Sequence, residues 1–230
     1  MKILAISDLH LSNSTNKPMD IFGGNWENYW QEIKTDWQNK VAEDDVVLIA
    51  GDISWAMHLP QVVDDLAQIA SLKGKKVIIK GNHDYWWSSY SKVCEILPEG
   101  IFALQNNFVR FDNFLICGTR GWTIPTKGSE ENDIKIYNRE LIRLRLSLDA
   151  MQKVRQPEDK VVLMTHFPPF DVKLADSEFT NIIDEFKVDK VVYGHLHGKE
   201  SRAISVVDKK GIKYYLTSCD MVNNKLTEIF

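Results

Sequence analysis

The chain has 230 residues, 44% of them hydrophobic and 26% charged, which fits one large domain, residues 1–230, with a full core. Its net charge of −4 argues against non-specific nucleic-acid binding, which relies on a basic surface, yet admits an anionic substrate if bound metals supply local positive charge. No stretch approaches the roughly 18 apolar residues of a membrane span, Met1 to Ser7 is too short for a signal-peptide core, and Cys94, Cys117 and Cys219 form no Cys-x-x-Cys pair, so a soluble cytoplasmic protein with reduced thiols is expected.

Lys2 to Ser7 reads as a first strand, followed by a polar loop from Ser12 to Gly24. Trp26, Trp30, Ile33, Trp37 and Val41 recur at helical spacing and predict an amphipathic helix whose stripe is core. Val46 to Ala50 is a continuous apolar run, the pattern of a strand covered on both faces. A helix over Pro60 to Ile69, with proline in its first turn, leads through Gly74 to a strand at Val77 to Ile79. Lys73, Lys75, Lys76 and Lys80 read as a solvated stretch.

Ser88 to Leu97 predicts another helix, ended by Pro98 and Gly100. Short strands follow at Phe102 to Leu104, Phe108 to Phe111 and Phe114 to Cys117, with Asp112-Asn113 as a turn. The longest helix is expected over Asn138 to Val154. Strands at Val161 to Met164, Lys190 to Tyr193, Ala203 to Val207 and Ile212 to Thr217 complete the chain. Strand and helix alternate first and a hairpin closes, so an α/β fold is expected: two packed mixed sheets with helices outside each, a four-layer sandwich.

Five of the six histidines fall into four short blocks: Asp8-Leu9-His10, Gly81-Asn82-His83-Asp84, Thr165-His166-Phe167 and Gly194-His195-Leu196-His197. Gly51-Asp52 makes a fifth block without histidine. Each follows an apolar run, and open α/β sheets bind ligands beyond the carboxyl ends of their strands. Asp8 and His10, like His195 and His197, are two apart and face the same way in extended chain. The mixture of carboxylate and imidazole suits a pair of divalent ions, Mn²⁺, Fe or Zn²⁺ better than Ca²⁺.

The order Asp-x-His, Gly-Asp, Gly-Asn-His-Asp, His, Gly-His-x-His resembles the calcineurin-like metallophosphoesterases from Asp8 to His197. The resemblance implies a two-sheet sandwich carrying two divalent metals, Mn²⁺ first, with Fe, Zn²⁺ or Mg²⁺ as alternatives. It implies that Asp8, His10 and His197 hold one metal, that Asn82, His166 and His195 hold the other, and that Asp52 bridges them. A hydroxide bridging the metals would attack phosphorus, and His83 would be the general acid. Asp84 is the nearest candidate to orient His83, with a turn or helix-cap role as its alternative.

Two departures narrow the substrate. Protein phosphatases of this superfamily extend the second motif to Gly-Asp-x-x-Asp-Arg-Gly, whereas this chain has Gly51-Asp52-Ile53-Ser54-Trp55-Ala56-Met57. Ser7-Asp8-Leu9-His10-Leu11 also resembles the lipid A pathway UDP-diacylglucosamine pyrophosphohydrolases, but those have arginine where this chain has His83. Arg120, in Gly118-Thr119-Arg120-Gly121-Trp122, is a candidate phosphate clamp, with a surface or structural role as its alternative. Trp55, Tyr85, Trp86, Trp87 and Trp122 flank the blocks, either as stacking surfaces for an aromatic leaving group or as packing. A small-molecule phosphoester is the expected partner; a phosphodiesterase or nuclease, and a non-catalytic scaffold such as the retromer subunit, are the competing readings.

Overall fold

The computed structural model describes residues 1–198, 201 and 203–230. In the first sheet β1 (Ile3–Ala5), β2 (Val46–Ile49), β3 (Lys75–Ile78) and β4 (Ile101–Ala103) run parallel. The second sheet is built from β5 (Phe108–Phe111), β6 (Phe114–Thr119), β7 (Lys160–Thr165), β8 (Lys190–Tyr193), β9 (Val206–Lys209) and β10 (Ile212–Leu216). There β6, β7, β8 and β10 are parallel, and β5 and β9 add antiparallel edges. A last strand, β11 (Thr227–Glu228), returns antiparallel to β1.

The continuous apolar runs are explained by layering. Val46 and Leu48 of β2 point to the inter-sheet core with Ile3, Ile116, Val162 and Val192. Their neighbours Val47 and Ile49 point the other way, under α1 (Tyr29–Lys40) and α2 (Leu59–Ala70), through Ile33, Trp37, Leu66 and Ile69. On the far side Leu115, Leu163 and Val191 pack under α4 (Glu131–Gln152) and α5 (Glu178–Glu185), through Leu144, Leu148 and Ile183. The short α3 (Tyr90–Ile96) buries Val93 beside α2. Helix, sheet, sheet and helix make the four expected layers.

Several boundaries differ from expectation for local reasons. The first helix begins at Tyr29, because Gly23 and Gly24 at positive φ set a 3₁₀ turn over Gly24–Trp26 and Asn28 is left-handed. The long helix begins at Glu131 rather than Asn138; Glu131 and Asp133 place negative charge at its N-terminus, where the dipole favours it. Helix α5 was not expected, although Ser177 and Thr180 cap it reciprocally. Strand β9 lies at Val206–Lys209 rather than Ala203 to Val207, because the two-residue turn Lys210-Gly211, both at positive φ, pairs Lys209 with Ile212. Lys76 is buried, not solvated: its Nζ donates to the Leu72 and Ala70 carbonyls at the end of α2.

Candidate metal centre

All five blocks emerge at the carboxyl ends of β1, β2, β3, β7 and β8 and converge on one crevice. Backbone bonds stitch the loops together: Asp8 N to Gly51 O and His10 N to Asp52 O, each 3.0 Å, and Gly194 N to His166 O, 3.1 Å. Asp8, His10, Asp52 and His195 all have positive φ, between 44° and 70°. Each such non-glycine position costs on the order of 1–3 kcal/mol, so local conformational preference is being overridden at the points that aim these side chains. Glycines make the approach possible. A Cβ at Gly81 would collide with the Asp52 carboxylate and backbone nitrogen, and one at Gly194 with the Asp8 carboxylate.

Asp8, Asp52, His10 and His166 form a buried floor, and Asn82, His83, His195 and His197 a half-buried rim. Among the described residues two groups of potential ligands share Asp8: Asp8, His10 and His197, and Asp8, Asp52 and His166. Asp52 Oδ2 lies 3.6 Å from His10 Nε2 and 3.5 Å from His166 Nε2, between the two groups. Asn82 Oδ1 lies 2.6 Å from His166 Nε2 and 2.9 Å from His195 Nδ1. The rim and floor therefore bring together every residue expected to hold metal.

The protonation pattern matches that of cation ligands. His166 Nδ1 donates to the Ala50 carbonyl at 2.9 Å, and burial pushes the ring's pKa down to about 4. The neutral ring therefore carries a bare lone pair at Nε2, facing the acceptor oxygens of Asn82 and Asp52. His166 Nε2 and Asn82 Oδ1 thus meet acceptor to acceptor with the Asp52 carboxyl beside them, the donor set a metal ion satisfies. Burial also pushes His10 down to about 3, with its Nδ1 unpartnered among the described residues. Burial, reinforced by Asp8 and Asp84, pushes Asp52 up to about 9, the response of a carboxylate crowded by like charge. Burial also acts to raise Asp8, but His197, His166 and His10 override it and hold that carboxyl well below the usual range.

His83 stands at the mouth, its ring 5.6 Å from that of His10 and 4.7 Å from that of Trp55. Its backbone N–H donates to Asp52 Oδ1 at 2.8 Å, while its Nδ1 has no partner among the described residues. The expected contact between Asp84 and the His83 ring is not present. Asp84 is wholly buried and accepts from Ile53 N, Ser54 N, Gly81 N and Trp86 Nε1, which ties the Asp52 loop to the Asn82 loop. Its alternative role, holding a turn, is the one the geometry supports.

Arg120 does not point at the ligands. Its guanidinium stacks 4.5 Å from the Trp122 ring and lies 3.6 Å from Glu140. Among the flanking aromatics, Trp86 and Trp87 are core, whereas Trp55 stacks on His10 at 4.8 Å and the exposed Tyr85 sits edge-on to His83.

Two residues escaped the sequence reading. Asp220 accepts from His197 Nδ1 and from Gly198 N, both at 2.8 Å. It carries no adjacent histidine or glycine block; its only signal is that it follows the apolar strand β10, as the other blocks follow theirs. Trp26, assigned to a core stripe by its spacing, also packs against His10 and His197, with centroids at 6.0 and 5.6 Å.

The model of the calcineurin-like phosphoesterase family matches residues 1–199. No curated protein matches the chain. Among solved structures, phosphopantetheinyl hydrolase (PptH) from Mycobacterium tuberculosis is similar in fold, with TM-score 0.62 and 15% identity over 100% of this chain and 95% of that one. TT1561 of Thermus thermophilus is similar with TM-score 0.57 and 13% identity, over 98% and 96% of the two chains.

Proposed function

The chain belongs to the calcineurin-like phosphoesterase family, and we propose that it hydrolyses phosphate esters of small molecules with two divalent metal ions at this centre. Asp8, His10 and His197 would hold one ion, Asn82, His166 and His195 the other, and Asp52, placed between the groups, would serve both. The observation that carries this reading is the approach of His166 Nε2 to Asn82 Oδ1, lone pair to lone pair. Hard oxygen donors mixed with imidazole support Mn²⁺ first. Three free thiols support a reducing compartment such as the cytoplasm.

Bound there, a metal pair supplies Lewis acidity that activates water at neutral pH and offsets charge on phosphoryl oxygens. The chain's own residues do the rest. His83 stands at the mouth to protonate the departing ester oxygen. In the metal-free protein burial and His197 lower its pKa, and a phosphate dianion in the crevice would act to raise it. Asp84 fixes the loops that carry Asp52, Asn82 and His83, and Trp55 and Tyr85 wall the leaving-group side.

A diester preference is the second reading, favoured by the engagement of Arg120 with Glu140, which leaves the centre without the expected clamp for terminal phosphate oxygens. Rates with p-nitrophenyl phosphate and bis-p-nitrophenyl phosphate in Mn²⁺ separate the two. Hydrolysis of neither would refute both readings.

A further inference from the structure

Segments that follow β3, β4 and β6, together with α4, line a basic cavity of about 210 Å³. Lys80 enters it from the segment after β3, Thr119 and Arg120 from the end of β6, and Arg139, Glu140 and Arg143 from α4. Four cations share this cavity with one carboxylate. Glu140 is wholly buried and already occupied: it accepts from Thr119 Oγ1 at 2.7 Å and from Arg143 Nη1 at 2.8 Å. Arg120 Nε is buried without a partner, and Arg139 makes no ion pair among the described residues. Like charges confined in a concavity repel, and guanidinium groups are suited to gripping an oxyanion in bidentate fashion.

The cavity is continuous with the metal loops through the backbone. Lys80 immediately precedes Gly81, and the Arg120 carbonyl accepts from His166 N at 2.9 Å and Phe167 N at 3.0 Å. A solvated charged helix face would account for Arg139 and Arg143 alone. It does not account for Lys80, which precedes the Asn82 loop and also donates from Nζ to the Trp87 carbonyl at 3.1 Å, or for Arg120, whose loop is bonded to the His166 loop; both line the same space. The volume is several times the roughly 30 Å³ share of a liquid water, enough for one phosphate or carboxylate group.

We propose that this cavity is a subsite for a second anionic group of the substrate, so that the enzyme acts on phosphate esters that carry another phosphate or a carboxylate. This rests on the phosphohydrolase reading above. The same chemistry would also take a free inorganic anion, and the experiment separates the two.

Sulfate is titrated calorimetrically into the metal-loaded protein and into Arg139→Glu, an exposed position whose change leaves the core intact. In parallel, kcat/KM is measured for ethylene glycol bisphosphate against ethyl phosphate, and for longer diol bisphosphates. A saturable sulfate event weakened at least about tenfold in the variant, with a bisphosphate preference that falls as far, is expected. Sulfate binding indifferent to Arg139→Glu, with no change in preference, overturns the subsite. Sulfate binding that depends on Arg139 without any bisphosphate preference assigns the cavity to a free anion and overturns the substrate claim. No hydrolysis of any ester, with Arg139-dependent sulfate binding retained, refutes the phosphohydrolase reading, and the substrate subsite with it, while the anion cavity stands.

Discussion

Asp220 clamps His197: one carboxylate oxygen takes the ring Nδ1–H and the other takes the next backbone N–H, from Gly198, each at 2.8 Å. The clamp keeps Nδ1 protonated, so Nε2, 3.4 Å from Asp8 Oδ1, is the nitrogen that would offer a lone pair to an ion once its own proton leaves. Carboxylate partners of metal-bound histidines commonly account for roughly 10–100-fold in metal affinity. Asp220→Ala is expected to weaken one metal equivalent by that factor in equilibrium dialysis and leave the other near its wild-type affinity. Two unaltered equivalents would show that the pair is structural only.

His83→Ala tests the general acid. Loss of such a group typically costs roughly 10²–10⁴ in rate when the leaving group needs a proton. An alkyl phosphate is expected to suffer that loss, and p-nitrophenyl phosphate, whose leaving group departs as the anion, far less. Metal content should be unchanged. Equal losses on both esters would contradict the assignment.

The pH dependence of the metal-free protein follows from Asp52 and His197. Burial raises Asp52 from 3.8 to about 9. Burial acts to lower His197, but the Asp220 and Asp8 contacts override it and raise it from 6.5 to about 10. A group whose pKa is raised on folding gives stability that is complete below its unfolded value and lost as pH rises through the folded one. Between about pH 7 and about pH 9 the stripped fold therefore holds protons that the unfolded chain has released, and its Tm should fall with rising pH. Metal requires Asp52 ionised and His197 neutral, so loading near pH 7 should release protons and flatten that decline. Calorimetry in buffers of different ionisation enthalpy reads the release directly; none would mean that these groups do not bind the ion.

Gly81→Ala places a methyl against the Asp52 carboxylate and its backbone. Overpacking of this kind costs typically about 1–3 kcal/mol. The variant is expected to melt lower and to lose metal, because the Asp52 and Asn82 loops must part. Wild-type Tm and metal content would show that the loops have more room than the structure gives them.

The ligand blocks were legible because Asp, His and Asn recur just after apolar runs, three of the five blocks with glycine directly before them, a pattern few other constraints produce. Asp220 was not legible, since it reaches His197 only after β10 has paired with β8 and the Ser7–Ser218 bridge has drawn the loop inward. Trp26 misled by its helical spacing from Trp30, which the paired glycines before it interrupt. Lys76 fell in a run of lysines and could be recognised as a helix cap only once α2 was docked over β3. Arg120, in a glycine-flanked loop after a strand, is on sequence alone either an anion clamp or a structural arginine, and only the fold pairs it with Glu140 and turns it into a neighbouring cavity.

Metal stoichiometry coupled to turnover tests the central claim most directly. Purified protein is stripped with chelator, titrated with Mn²⁺, and assayed for phosphoester hydrolysis at each step. Activity that appears only as the second equivalent binds, and that is lost in Asp52→Asn, is expected. Full activity at one equivalent, or two bound ions with no hydrolysis of any phosphoester, would contradict it.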